Sequence, residues 1–194
     1  MRIVGGALRG RRLVGPKSFS IRPTSDRLRE TIFDILEHAY PGSIECAAVI
    51  DLFAGAGALG LEGLSRGAAR ALFVDRGSEA RALLRENIET LGLGGVTRIF
   101  RRDATRLGLA PKGERFGLAF LDPPYSQSLA PAALTALARG DWLNLGALAV
   151  VEEAASAAVA LPEGFLEEET RRYGDTQIVF ARWVGAGIFE PCGD

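Results

Sequence analysis

Four consecutive residues, Asp122-Pro123-Pro124-Tyr125, follow directly on the apolar run Phe116 to Leu121. Two prolines fix the backbone and remove two N–H donors, so the loop offers carbonyl and carboxylate acceptors with few local competitors. An exocyclic amine on a nucleobase is a poor nucleophile, because its lone pair is delocalised into the ring. The Asp122 carboxylate and the Pro123 carbonyl can each accept one of its hydrogens, which localises that lone pair for attack on a carbon electrophile. Tyr125 offers a face on which the base can stack, an interaction worth ~1 to 3 kcal/mol. Asp122, Pro123 and Tyr125 are therefore the catalytic candidates. The competing explanation is an ordinary proline turn.

A second motif, Asp51-Leu-Phe53-Ala-Gly55-Ala-Gly57-Ala-Leu-Gly60, lies between an apolar strand pattern and a helix pattern. Its G-x-G-x-x-G spacing permits a tight turn and close approach of a ligand to the backbone, and Asp75 ends the next strand pattern, where a carboxylate can accept from both ribose hydroxyls. Glycines that serve only strand-to-helix packing would give the same spacing. Dinucleotide oxidoreductases and methyltransferases both bind an adenosine ribose at such a place, so spacing does not separate them. Asp51 does: its charge suits the cationic amino-acid end of S-adenosylmethionine and would repel a pyrophosphate. Asp103-Ala104, after the third strand pattern, is placed to recognise the adenine amino group, although an Asp there equally caps a turn. The expected cofactor set is Asp51, Phe53, Gly55, Gly57, Gly60, Asp75, Asp103 and Ala104, with Asp122 counted among them. His38, Cys46 and Cys192 have no partner at ligand spacing, so no metal site is expected.

The elements that must hold these motifs alternate. Pro23-Thr24-Ser25 opens a helix whose Leu28, Ile32, Ile35, Leu36 and Ala39 share one face, ended by Pro41-Gly42. Strands are expected at 47–53, 71–75, 96–100, 118–122 and 147–152. Helices are expected from about Leu59, along the stripe Ala80, Leu83, Leu84, Ile88, Leu91, and from about Leu129 to Ala138. Residues 166–173 and 176–183 read as two antiparallel strands joined by the turn Gly174-Asp175. The fold class is α/β: a Rossmann-like, mainly parallel seven-stranded sheet with a C-terminal antiparallel hairpin and helices on both faces. Ligands in such a sheet bind at the carboxyl ends of the strands, which is where each motif falls. Trp142 and Trp183 read as core, and His38 as a helix-end residue.

With 194 residues, no apolar run of membrane length and no cysteine framework, the chain is expected to be one soluble cytoplasmic domain. Lys and Arg number 23 and Asp and Glu 24, yet residues 1–30 hold eight basic and two acidic residues, a net of +6 that leaves −7 for the rest. A basic front end on an acidic body attracts phosphates by counterion release, although a charge run alone is usually just solvated.

Taken in order, Arg2-Ile-Val-Gly-Gly with Leu8-Arg-Gly-Arg, Arg22-Pro-Thr-Ser-Asp-Arg-Leu-Arg-Glu30, the glycine loop, Asp-Pro-Pro-Tyr125 and Tyr173-Gly-Asp-Thr176 resemble the bacterial small-subunit ribosomal RNA guanine-N2 methyltransferases of the RsmD type. The resemblance covers Arg2 to about Trp183. It implies a class I methyltransferase sheet, S-adenosylmethionine as cofactor, and one guanine of 16S rRNA in the small ribosomal subunit as target; a monomer is the separate expectation for the chain. The resemblance also implies an N-terminal hairpin (1–22) that contacts RNA ahead of the methyltransferase domain (23–183), leaving a tail (184–194) that matches nothing. Arg2, Arg9, Arg11, Arg12, Arg22, Arg27 and Arg29 are the expected RNA contacts. Three other readings stay open: an adenine-N6 or cytosine-N4 DNA methyltransferase, a non-catalytic RNA-binding assembly factor, and a nicotinamide oxidoreductase.

Overall fold

The computed structural model describes residues 1–15, 25–124 and 129–185. Arg22, Tyr125, the Pro23-Thr24 part of the expected helix start, and residues 186–194 with Cys192 lie outside the described residues. Helix α1 (Asp26–Ala39) starts on Ser25, whose hydroxyl oxygen accepts the Leu28 N–H at 3.1 Å, the capping role its residue type suggests. There follow β1 (Ala48–Leu52), α2 (Ala58–Ser65), β2 (Arg70–Val74), α3 (Ser78–Leu91), β3 (Thr97–Phe100), β4 (Phe116–Leu121), α4 (Leu129–Arg139), β5 (Leu143–Ala154), β6 (Phe165–Tyr173) and β7 (Thr176–Trp183). The alternation expected from periodicity is thus observed, and α3 ends at Gly92 in the left-handed region, as its position predicted.

The seven strands form one sheet in the order β3-β2-β1-β4-β5-β7-β6. Pairs from β3 through β5 are parallel, and β7 runs antiparallel between β5 and β6. The chain steps outward from β1 through β2 to β3, then returns to lay β4 on the other side of β1. This is a topological switch point, and it opens a crevice beyond the carboxyl ends of β1 and β4. Register brings Leu52 beside Leu121 and Asp51 beside Phe120, so the glycine loop and Asp-Pro-Pro leave the sheet as neighbours.

Successive strand residues face opposite ways and build two cores. Val49, Phe73, Leu118, Phe120, Leu148, Val150 and Ile178 meet α1, α2 and α3 through Phe33, Leu36, Leu61, Leu84 and Ile88. On the other face Ile50, Leu72, Ala119, Leu121, Val151 and Val179 meet α4 through Leu134 and Leu137, together with Trp142 and Trp183. Both tryptophans are core residues, as expected.

The first fifteen residues are not an appendage in packing terms. An antiparallel bridge joins Arg2 to Arg12, and Ile3 and Leu13 sit in the same core as α1. Gly5-Gly6 has a reason beyond the turn. A Cβ on Gly6, at φ +71, would lie 1.9 Å from the Ser65 carbonyl oxygen, so only glycine lets this backbone lie against the end of α2. Strand β5 begins at Leu143, four residues before the expected start. Its register shifts between Phe116 and Leu118, and exposed Asn144, Leu145 and Gly146 (φ +81) form the irregularity that hides the strand from its hydrophobic pattern.

Candidate functional site

Asp51 and Asp75 close the glycine loop from two strands. The Asp51 carboxylate is buried, and its Oδ2 accepts the Gly60 N–H at 2.9 Å in the first turn of α2. Burial pushes the Asp51 carboxyl up to about 8, the negative charge of Asp75 adds to that shift, and the Gly60 N–H opposes it. Asp75 is half-buried; its Oδ2 accepts the Gly55 N–H at 2.9 Å and its Oδ1 the Gly77 N–H at 2.7 Å. Each carboxylate oxygen keeps a second acceptor position for a ribose hydroxyl. Beneath the same turn, buried Arg81 donates to the carbonyls of Asp75 at 3.2 Å and Arg76 at 2.6 Å.

The glycines divide into two kinds. On Gly57 (φ +84) a Cβ would lie 2.4 Å from Leu84 Cδ1, and on Gly60 it would lie 2.4 Å from Phe73 Cε1. These two are packing glycines that bring α2 and α3 down onto the sheet, as the competing explanation of the motif holds. Gly55 differs, since a Cβ there would meet only the Phe53 carbonyl oxygen at 3.9 Å. Phe53 itself has φ +59, an unusual conformation for an aromatic residue, held at the turn out of β1. Open space at Gly55 next to two carboxylates fits the adenosine and amino-acid parts of S-adenosylmethionine.

Asp103 does cap a turn. Its Oδ1 accepts the Thr105 N–H at 2.9 Å and the Thr105 hydroxyl at 2.7 Å, and Arg76 lies 3.6 Å from its Oδ2. The two Thr105 bonds hold the Asp103 carboxyl below the usual carboxylate range, with Arg76 adding to the effect. Ala104 is buried beside it. Asp122 is half-buried at the end of β4, Pro123 is buried and Pro124 exposed.

Among the expected RNA contacts, Arg2, Arg9, Arg11, Arg12 and Arg27 are exposed. Arg2 approaches Asp26 at 3.6 Å, and Arg11 donates to the Thr90 carbonyl at 2.8 Å. Arg29 is a correction: its side chain is fully buried, donates to Asp26 at 2.9 Å and to the Arg2 carbonyl, and stands 3.6 Å from buried Glu62. A guanidinium so enclosed faces the protein and not a phosphate. His38 is exposed, with Nδ1 2.7 Å from the Asp34 carbonyl oxygen, the local role its helix-end place suggested.

Sequence reading missed two organisers of the site. Glu62 accepts the N–H groups of Val4 at 2.8 Å and Gly5 at 2.7 Å and pairs with Arg66 at 3.0 Å, so it staples the N-terminal segment to the helix that follows the glycine loop. Its signal was a lone charge in the otherwise uncharged helix Ala-Leu-Gly-Leu-Glu-Gly-Leu-Ser. Asn87, 1% exposed, accepts from Val14 N–H at 2.7 Å and donates to the carbonyls of Val14 and Ala56, each at 3.0 Å. It ties the N-terminal segment to the glycine loop, and its signal was a polar residue inside the apolar stripe of α3. Among the described residues no group of His, Cys, Asp and Glu could hold a metal ion.

Known proteins resemble most of this chain. A family profile described as "Conserved hypothetical protein 95" matches residues 1–182. The chain is 40% identical over 152 residues to ribosomal RNA small subunit methyltransferase D of Escherichia coli K12, covering 78% of this chain and 74% of that protein. It is 34% identical over 174 residues to the Haemophilus influenzae protein of the same name, covering 88% of each. Among solved structures, a candidate methyltransferase from Escherichia coli, yhhF, superposes with a TM-score of 0.81 at 34% identity, over 95% of this chain and 98% of that one. At 19% identity, and so as a likeness of fold alone, the 16S rRNA N2 methyltransferase RsmC of Thermus thermophilus, solved with AdoMet and guanosine, gives 0.65 over 86% of this chain and 45% of that one.

Proposed function

We propose that this chain, which belongs to the family of conserved hypothetical protein 95 and the small-subunit rRNA methyltransferases D, methylates the exocyclic N2 of a guanine in 16S ribosomal RNA. The observation that carries the reading is the pairing of β1 with β4 at the switch point, which sets the glycine loop and the Asp122-Pro123 acceptors on two sides of one crevice. Asp51, Phe53, Gly55 and Asp75 would hold S-adenosylmethionine, with the Asp103-Ala104 turn at its adenine. When bound, the cofactor would supply an electrophilic methyl carbon on a sulfonium whose leaving group, taking the C–S electron pair, is a neutral thioether.

The chain's own contribution is positioning and electrostatics. Asp122 and the Pro123 carbonyl accept the two N2 hydrogens and aim the N2 lone pair at the methyl carbon. As the N–C bond forms, one N2 proton leaves along its hydrogen bond toward the Asp122 carboxylate and then to solvent. Pro123, being buried, keeps the carbonyl fixed through this change. Tyr125 would stack on the extruded base. Gly57 and Gly60 serve the same end indirectly, by letting α2 approach until the Gly60 N–H reaches Asp51.

Arg2, Arg9, Arg11 and Arg12, held on a segment that Glu62 and Asn87 fasten beside the glycine loop, would meet RNA phosphates together with Arg22 and with Arg27 of α1. In this reading the partner is 16S rRNA within the small ribosomal subunit, and the protein acts as a cytoplasmic monomer. Among the described residues no helix is long and apolar enough to cross a membrane.

The test is incubation with labelled S-adenosylmethionine and unmethylated small subunits, 16S RNA or DNA, followed by nucleoside analysis. N2-methylguanosine in the subunit or its RNA is the expected product, lost in Asp122→Ala while cofactor binding persists. Label in DNA alone, as N6-methyladenine or N4-methylcytosine, would overturn the substrate reading. Cofactor binding without transfer to any of these would overturn the substrate class, and a chain that does not bind S-adenosylmethionine at all would favour the assembly-factor reading.

A further inference from the structure

A buried acid that no step above uses stands beside Asp122. In the β4–β5 ladder Leu121 pairs with Val151, and continuing that parallel register by one residue sets Asp122 beside Glu152. Neighbouring strands lie ~4.8 Å apart. Side-chain direction follows from the cores. Phe120 and Val150 belong to the face covered by α1, α2 and α3, while Leu121 and Val151 belong to the opposite one. By strand alternation Asp122 and Glu152 both return to the first face, the face on which Asp51 also lies. Across the next ladder Glu152 pairs with Ile178 of the same core, which fixes its direction independently.

Glu152 is 5% exposed, near the carboxyl end of β5, the strand next to β4. The next acid, Glu153, has a local role: it projects to the other face, and its Oε1 accepts the Ala154 N–H at 3.0 Å. Gln177, opposite Glu153, closes the same corner by donating to the carbonyls of Ala154 at 2.9 Å and Ala157 at 2.5 Å. That corner explains Glu153 and Gln177 and leaves Glu152 facing the Asp122 side.

What a second carboxylate can do there follows from the bases. Guanine presents three hydrogens along one edge, two on N2 and one on the adjacent ring nitrogen N1. Adenine and cytosine also carry an amino group, but the ring nitrogen beside it is an acceptor with a lone pair. Asp122 and the Pro123 carbonyl account for the amino hydrogens of any of the three bases. An additional acceptor at the ring-nitrogen position is satisfied by guanine alone and left opposing a lone pair by the other two. Sites built around a buried polar group reject analogues that leave it unpaired far more strongly than apolar pockets do.

We propose that Glu152 is the specificity-determining residue of the site: its carboxylate accepts the guanine N1–H while Asp122 and Pro123 hold the N2 hydrogens. The inference rests on the guanine-N2 reading above and explains why a site with an Asp-Pro-Pro loop would exclude adenine and cytosine.

2-Aminopurine tests it, because this base keeps the 2-amino group but has an acceptor at N1. Small subunits are reconstituted on 16S rRNA carrying guanine or 2-aminopurine at the methylated position, and initial rates are measured with the wild-type chain and with Glu152→Gln. The wild type is expected to prefer guanine by about 100-fold or more. In Glu152→Gln, whose amide can donate to an N1 acceptor, guanine methylation falls and the preference narrows by at least about tenfold, with cofactor affinity unchanged. Loss of the O6 atom in 2-aminopurine affects both proteins alike, so the change in ratio isolates the N1 contact. An unchanged ratio in Glu152→Gln would overturn the proposal, since a merely structural glutamate lowers both rates together. Should that variant fail to fold, wild-type protein that methylates 2-aminopurine within about threefold of guanine overturns it equally. Wild-type protein that transfers nothing to the guanine subunits would instead refute the activity reading on which the proposal rests.

Discussion

Asp51 should make cofactor binding release a proton. In the free protein its carboxyl is pushed up to about 8 by burial and by Asp75. At pH 7 such a group is about 90% protonated, and a bound cationic amino-acid end would favour the ionised form. Binding at pH 7 should therefore release about 0.9 proton from Asp51, and the affinity should fall about 50-fold between pH 8 and pH 6 as the ionised fraction drops from about one half to about one hundredth. Isothermal titration calorimetry with S-adenosylmethionine in two buffers of different ionisation enthalpy counts the protons directly. Asp51→Asn is the control. Its side-chain oxygen can still accept the Gly60 N–H, and titration of the cofactor's own amino group is common to both proteins. The difference between the two proton counts is then the Asp51 contribution. Equal counts at pH 7 would refute the reasoning, because Asp51 would either be ionised already or lie away from the cationic end of the cofactor.

Glu62→Ala should destabilise the protein by about 3 to 5 kcal/mol in denaturant titration, because it removes the buried one of the two carboxylates beside Arg29 and leaves the Val4 and Gly5 N–H groups without their acceptor. Gly57→Ala, with its Cβ 2.4 Å from Leu84 and φ at +84, should cost about 1 to 3 kcal/mol and weaken cofactor binding with it, measured by thermal shift with and without ligand. Neutralising exposed Arg9 and Arg12 together should reduce the slope of log affinity against log salt for 16S RNA by about 1.4 to 1.8. The exposed Arg139→Ala at the end of α4 should leave that slope unchanged, and filter binding over a salt series separates the two.

The centre of the sheet was legible because β1, β2 and β4 are buried on both faces and β1 and β2 are each followed by a helix. Ser25 and Gly92 stand where residue type alone puts a helix start and a stop. Legibility failed where a partner distant in sequence decides the outcome. Arg29 reads as a surface charge with Asp26 three residues before it, and nothing local reveals that Glu62 arrives from α2 to enclose it. Gly57 and Gly60 read as ligand-cradling glycines, yet their missing side chains make room for Leu84 and Phe73, from elements whose approach the sequence does not disclose. Asp103 was readable to the extent of its two alternatives, and the Thr105 bonds show the capping one.

The crevice carries its chemistry at a cost to the free fold. Asp51 has a folded-state pKa raised above its unfolded value, so the folded chain keeps a proton that the unfolded chain has already lost between about pH 4 and pH 8. Its contribution to stability is greatest below the unfolded pKa and declines as pH rises toward 8, by about 1.4 kcal/mol per unit. Asp51→Asn escapes that decline, so its thermal stability relative to the wild type should climb from pH 5 to pH 8 and then level off. A cationic ligand gives the ionised carboxylate its missing partner, so stabilisation by a fixed concentration of cofactor should also grow over that range in the wild type. In Asp51→Asn only the smaller change due to the cofactor's own amino group should remain. If ligand-induced stabilisation in the wild type followed the variant's pH dependence instead, the buried acid at the end of β1 would be part of the scaffold and not of the binding site.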